Sequence, residues 1–202
     1  MAMTIAYAVG SNLYVNITNK CPCSCTFCIR KNGDGVYGSD SLWLEHEPSA
    51  QEIIDALEKA DFKKYDEIIF CGYGEPTERI ECLAEIADYI KKNSDKKIRL
   101  NTNGLSDLIH GKDTACMLEN RIDTVSISLN APTKEKYNEI TRPSFGEKSF
   151  DAMLKFAKEC KEFGTPVKLT VVDVISKEDI EDCKKLCEEI GIPLRVREYT
   201  AE

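Results

Sequence analysis

The sequence predicts an α/β fold, a partial (β/α)6 TIM-like barrel expected to form one domain over residues 1–202. Three observations lead there. Short apolar runs such as "EIIF" and "VKLTVV" recur between amphipathic segments, the pattern of parallel strands covered by helices. A complete eight-stranded barrel usually needs roughly 250 residues, so six strands in 202 residues leave the barrel open. Four cysteines follow the first strand, and both barrels and doubly wound sheets place ligands at strand C-terminal ends. A doubly wound open sheet is the alternative.

Taken in order, Leu13, Val15 and Ile17 alternate with Tyr14 and Asn16, which reads as a first strand running into the cysteines. After Pro48, Ser49 and Glu52 form a capping-box pattern, and Ile53, Ile54, Leu57 and Ala60 supply the apolar stripe of a helix. The alternation continues with a strand at 67–71, a helix at 78–92, a strand at 97–102, a short helix near 112–119 and a strand at 123–129. A helix from about Ser149 is stopped by Gly164 and Pro166, a strand follows at 167–174, and a helix from Lys177 is stopped by Gly191 and Pro193. Residues 194–198 supply the sixth strand.

Composition narrows the function classes. Thirty-five acidic residues against 27 basic ones give a net charge of -8, and no basic stripe stands out, so extended nucleic-acid binding is not expected. No apolar run is long enough to cross a bilayer and no basic-then-apolar leader opens the chain, so a cytoplasmic location is expected. Ten cysteines in such a chain point to metal binding and buried thiols rather than to a disulfide framework.

The stretch "NKCPCSCTFCIRKNG" concentrates four of those thiols, Cys21, Cys23, Cys25 and Cys28. Soft thiolates select zinc, copper(I) or iron–sulfur clusters, and a closed zinc site would normally draw close pairs from two separate knuckles. Read as Cys21, three residues, Cys25, two residues, Cys28, the loop offers three thiolates to a [4Fe-4S] cubane and leaves one iron open to a further ligand. Cys23 falls outside this spacing. A structural zinc site or clustered free thiols is the bland alternative.

Three further strand ends carry polar segments. "CGYGEPT" holds Gly72, Tyr73, Gly74 and Glu75, where glycines allow close backbone approach or simply a turn. "LNTNG" offers Asn101, Thr102 and Asn103 as hydrogen-bonding groups for a ribose, although Asn-Gly is more often a turn. "SISLNAP" offers Ser128 and Asn130, and Arg142 in "EITRP" is a carboxylate binder or a solvent-facing cation.

With these residues in view, the sequence resembles the radical SAM superfamily. Its cluster motif has the spacing of Cys21, Cys25 and Cys28, with an aromatic such as Phe27 before the last cysteine. The family's Gly-Gly-Glu-Pro segment, which binds the amino group of the methionine moiety, resembles residues 72–76, with Tyr73 interposed between the glycines. Asn101 and Asn103, then Ser128 and Asn130, match later positions that contact S-adenosylmethionine (SAM) or substrate. A clear glycine-rich adenine segment is missing from the fifth strand, where "VVDVIS" stands instead. Together with "DLIHG", these segments look most like the small TatD-linked (TatD-associated) radical SAM proteins.

The resemblance implies that a reduced cluster passes an electron to SAM, giving methionine and a 5′-deoxyadenosyl radical that abstracts hydrogen from a substrate. It also implies reduced flavodoxin or ferredoxin as electron donor, for which Arg30 and Lys31 beside the cluster are candidate contacts. Within this class the chain would be a glycyl-radical activase or a modifier of a peptide or small metabolite. The rival reading is a non-catalytic zinc- or iron–sulfur-binding redox module. Cys183, Cys187 and Cys160 lie on apolar helical stripes and are expected in the core, so no auxiliary cluster is expected. His46 and His110 are isolated and read as loop or packing residues. The connection from Ile29 to Glu47 exceeds ordinary strand-to-helix length, which makes it a candidate lid.

Overall fold

Seven strands form one sheet in sequential order, and the computed structural model describes residues 3–36 and 38–199 of it and its covering helices. The strands are β1 (Ala6–Val9), β2 (Asn12–Val15), β3 (Glu67–Phe70), β4 (Lys97–Thr102), β5 (Thr124–Ser128), β6 (Val167–Val172) and β7 (Leu194–Arg197). All neighbours from β2 to β7 pair in parallel, while β1 pairs antiparallel with β2. Strands β1 and β7 do not meet, so the barrel is open.

The expected six strands are therefore seven. The weak run "AYAV" precedes a two-residue turn in which Gly10 takes φ +59°, and Val9 pairs with Asn12 across it. A left-handed glycine in such a turn matches the twist of a hairpin, so the missed strand had a legible signal.

Six α-helices connect the strands: α1 (Ala50–Lys59), α2 (Ile80–Asn93), α3 (Ser106–His110), α4 (Lys134–Thr141), α5 (Lys148–Glu162) and α6 (Lys177–Ile190). The capping box at Ser49 and Glu52 forms as expected, and Ile53 and Leu57 of α1 are buried. The short helix expected near 112–119 is instead α3 followed by a 3-10 turn over Ala115–Leu118. Helix α4 was not expected. Its mean hydrophobic content is low, and only Tyr137 and Thr141 are buried, so it lacks the apolar stripe that reveals a helix in sequence.

Strand residues alternate between two faces. Leu13, Ile68, Phe70, Leu100, Val125, Ile127 and Leu169 point to the helices and join one core with Leu83, Ile86, Met153 and Phe156. Cys160, Cys183 and Cys187 are buried in that core, as the helical stripes predict. The opposite parity faces the concave side, and the strand C-terminal ends open at its top. Among the described residues, no helix is long and apolar enough to cross a membrane.

Candidate active site

The cysteine loop leaves β2 and is held on three sides before any ligand is considered. Ser24 and Thr26 donate backbone N–H bonds to Thr141 and Ile140 at the end of α4, and Ser144 donates to Pro22. Lys31 Nζ donates to the Cys25 carbonyl at 2.7 Å. Arg30 donates to the carbonyls of Asn19 and Tyr73 and stacks over Trp43. Both cations proposed to receive an electron carrier are thus engaged within the chain, and Arg30 works as a clamp on the loop.

Two glycines of "CGYGEPT" serve the same clamp. A Cβ on Gly72 would meet Asn16 Oδ1 at 2.1 Å, and one on Gly74 would meet the carbonyl oxygens of Thr18 and Lys20 at 2.3 and 2.6 Å. Their absence of a side chain lets the β3 loop lie directly against the segment leading into Cys21. Glu75 N–H seals this contact by donating to the Lys20 carbonyl at 2.7 Å.

The Glu75 side chain is 4% exposed and joins the ends of β3 and β4. Its Oε1 accepts from Thr77 N–H, Thr77 Oγ1 and Thr102 Oγ1 at 3.0, 2.8 and 2.6 Å, while Oε2 accepts from Asn103 N–H at 2.7 Å. Oε1 is saturated; Oε2 retains a lone pair. Burial pushes this carboxyl above the ordinary carboxylate range, and the bonds from Thr102, Asn103 and Thr77 pull it back.

Asn103 points at the thiols, its Nδ2 lying 3.9 Å from Cys21 Sγ and 3.7 Å from Cys23 Sγ. Cys23 is the buried member of the four and pairs with Pro143 in an isolated bridge. Hydrogen bonds from the Cys23 thiol hold Cys21 and Cys25 below the ordinary thiol range, and those same bonds raise Cys23. Among the described residues, no three cysteine sulfurs converge within 4.8 Å of one another. Cys21, Cys25 and Cys28 face one cavity as three soft donors, a donor set that fits an iron–sulfur cluster.

All the segments meet in one cavity of about 290 Å³. Cys21, Cys25, Cys28 and Phe27 line it from the β2 loop, Gly72, Tyr73, Gly74 and Glu75 from β3, Asn101 and Asn103 from β4, and Ser128 and Asn130 from β5. Asn130 takes a left-handed φ of +58°, a conformation asparagine tolerates well. Asn101 Oδ1 is buried without a hydrogen-bond partner, so the cavity holds an unused acceptor. Arg142 caps α4 and is exposed, and it is not among the lining residues.

The radical SAM superfamily profile matches residues 15–190. The chain belongs to the radical SAM superfamily. Members of this superfamily use a [4Fe-4S] cluster and SAM, and these are its cofactors. It is 27% identical over 186 residues to the GTP 3′,8-cyclase of Clostridium perfringens strain 13, covering 91% of this chain and 53% of that protein. The fold matches Streptococcus suis SuiB bound to S-adenosylmethionine with a TM-score of 0.69 at 20% identity, over 93% of this chain and 40% of SuiB. It also matches native anSMEcpe with bound AdoMet at a TM-score of 0.63 and 20% identity, over 93% of this chain and 50% of that one. The radical SAM chain described here thus spans about half the length of the curated relative it matches.

Further residues line the cavity beyond those the motifs single out. Cys71, Tyr137, Val172 and Arg197 also face the cavity. Cys71 is raised by burial, opposed by a hydrogen bond from Asn101. Its signal was position: it ends β3 one residue before Gly72. Arg197 likewise ends β7, whereas Tyr137 comes from the unexpected helix α4. The connection from Ile29 to Glu47 packs Val36 and Leu42 against Tyr7 and Tyr73, and Asn16 Nδ2 donates to the Leu42 carbonyl at 2.7 Å. It forms a wall of the cavity.

Proposed function

We propose that this chain is a radical SAM enzyme that holds its cluster on Cys21, Cys25 and Cys28 and binds SAM across the ends of β3, β4 and β5. The observation that carries this reading is the convergence of twelve sequence-selected residues from four strand ends on a single cavity. When bound and reduced, the cofactors supply carbon–sulfur cleavage of SAM to methionine and a 5′-deoxyadenosyl radical able to abstract hydrogen from a substrate.

The chain's own groups have separable tasks. Glu75 Oε2, with one bond already from Asn103, offers its remaining lone pair to a cationic amino group. Asn103 Nδ2 directs its N–H toward the thiol sulfurs, and outer-shell donors of this kind tune a cluster. Asn101 Oδ1 accepts from a hydroxyl or amino donor, with Ser128 and Asn130 beside it. Phe27, Tyr137 and Val172 wall the cavity and limit water, which protects reactive intermediates. Reduced flavodoxin or ferredoxin is the proposed electron donor. The substrate is a small molecule or peptide reached from the open side of the barrel.

Anaerobic reconstitution with iron and sulfide, followed by strong reductant and SAM, tests this function. The expected result is about four irons per chain and slow formation of 5′-deoxyadenosine and methionine without added substrate. A fully loaded, reducible cluster that never cleaves SAM would sink the enzymatic reading, and one tightly bound zinc would favour a structural metal module.

A further inference from the structure

Below the cavity, the concave face of the sheet continues downward and becomes cationic. Asn101, Ser128, Val172 and Arg197 line the cavity, and residues two or four positions earlier on the same strands share their face. That parity places Arg99, Lys168 and Arg195 beneath the cavity. Register brings them together: Ser126 pairs with Lys168, Ser128 with Thr170, and Thr170 with Arg195. Lys168 feels both arginines, since burial and then the charges of Arg99 and Arg195 lower its ammonium.

Arg99 pairs with Glu67 at 2.9 Å through Nη2, while its Nε is buried without a partner. Among the described residues, no carboxylate forms an ion pair with Lys168 or Arg195. Lys168 and Arg195 therefore stand on this face without a direct ion pair, the Glu67 carboxylate offsetting the two arginines at Lys168 only in part, in a chain whose net charge is -8. Cationic residues on an exposed edge strand discourage edge pairing, which would account for Arg195. It does not account for Lys168 and Arg99, which sit on the interior strands β6 and β4.

We propose that this concave face is the substrate site of the radical SAM reading above, and that it takes a small molecule bearing a phosphate group held by Lys168 and Arg195, with Arg99 Nε as a further donor. A phosphate monoester carries about -1.5 to -2 charges near neutral pH and three acceptor oxygens, which matches two cations and an orphaned donor. A single carboxylate would leave one cation unmatched. The anion would anchor the substrate below the cavity and leave its remainder pointing up toward the strand ends. The proposal rests on the function proposed above for the same cavity, but its charge argument does not.

The test uses the anaerobically reconstituted full chain with SAM present, titrated calorimetrically with inorganic phosphate, pyrophosphate and citrate. Iron content and SAM binding are measured on the same samples. Saturable binding of phosphate and pyrophosphate is expected, with citrate weaker than either. Lys168→Gln and Arg195→Gln should each weaken pyrophosphate by about tenfold or more, with iron and SAM binding kept. Lys185→Gln, on the exposed surface of α6, should change nothing. Absence of saturable binding, or equal binding in the double variant, overturns the proposal, and preference for citrate overturns the phosphate assignment. Self-association of Arg195→Gln with unchanged pyrophosphate affinity would assign the arginine to edge protection and also overturn it. Phosphate binding by a parent chain that takes up neither iron nor SAM would support the anion site while removing the radical SAM reading.

Discussion

Glu75 and Cys23 each do something at the residue scale that their neighbours cannot replace. Glu75 gathers four donors from Thr77, Thr102 and Asn103, so Glu75→Ala leaves buried hydroxyl and amide groups unpaired. That should cost about 3 kcal/mol or more in stability and weaken SAM binding. Denaturant unfolding of the metal-free chain measures the first effect and equilibrium SAM titration of the loaded chain the second. A variant as stable as the parent would show that the network is not formed. Among the cysteines, Cys21→Ala, Cys25→Ala and Cys28→Ala should each lose the cluster, whereas Cys23→Ala should keep it. Cys23 is buried against Pro143 and packs in the core beside the loop, so its removal costs packing rather than a ligand. Iron content and visible absorbance read this directly, and cluster loss in Cys23→Ala with retention in one of the other three would reassign the ligand set.

At the element scale, the β2 and β3 loops lie so close that only glycine fits between them. Gly74→Ala places a Cβ against two backbone carbonyls, which cannot swing aside as a side chain can. The expected cost is about 2 kcal/mol or more, with reduced iron loading because the displaced segment leads into Cys21. Gly33→Ala, whose nearest atom would be 4.0 Å away, is the control and should leave both unchanged. The start of β5 is pinned differently. Asp123 accepts from Ile98 N–H at 2.8 Å and pairs with Lys91 and Lys97. Burial raises its carboxyl, but the bonds from Lys91, Ile98 and Lys97 outweigh this and hold it below the ordinary value. A lowered folded value means the contribution is present above the ordinary aspartate pKa of about 3.9 and lost as pH falls through the folded value. Thermal melts should therefore show Asp123→Asn less stable than the parent near neutral pH, with the gap closing below about pH 4. A gap that persists in acid would mean that the carboxylate charge is not the cause.

For the whole molecule, the open barrel leaves β7 as an edge. The last three residues of that strand are exposed, in contrast to β3 and β5, each of which has three consecutive buried residues. Amide exchange followed by mass spectrometry should find residues 194–199 exchanging well before 97–102, since edge strands open at lower free energy than central ones. Equal protection of the two segments would reveal a covering partner. The openness also leaves the concave face laterally open, where a closed barrel would fill it with side chains.

The order of elements was legible because strands buried on both faces and helices with one apolar stripe leave periodic marks in sequence. Lys97–Thr102 and the capping box at Ser49 are cases where local chemistry and final structure coincide. The candidate cluster loop stood out because its cysteines are close in sequence, and the fold brings Cys21, Cys25 and Cys28 to one cavity. Strand β1 and helix α4 were not, since one depends on a glycine turn and the other carries almost no apolar stripe. Nor could sequence show that Gly72 and Gly74 answer to Asn16, Thr18 and Lys20, that Arg30 is spent on backbone carbonyls, or that Lys168 stands among Arg99 and Arg195. Those facts are distances between residues tens of positions apart. Periodicity reports which face a residue takes within its own element, whereas strand order, register and loop packing decide which other residues share that face, and these are set by the sheet as a whole.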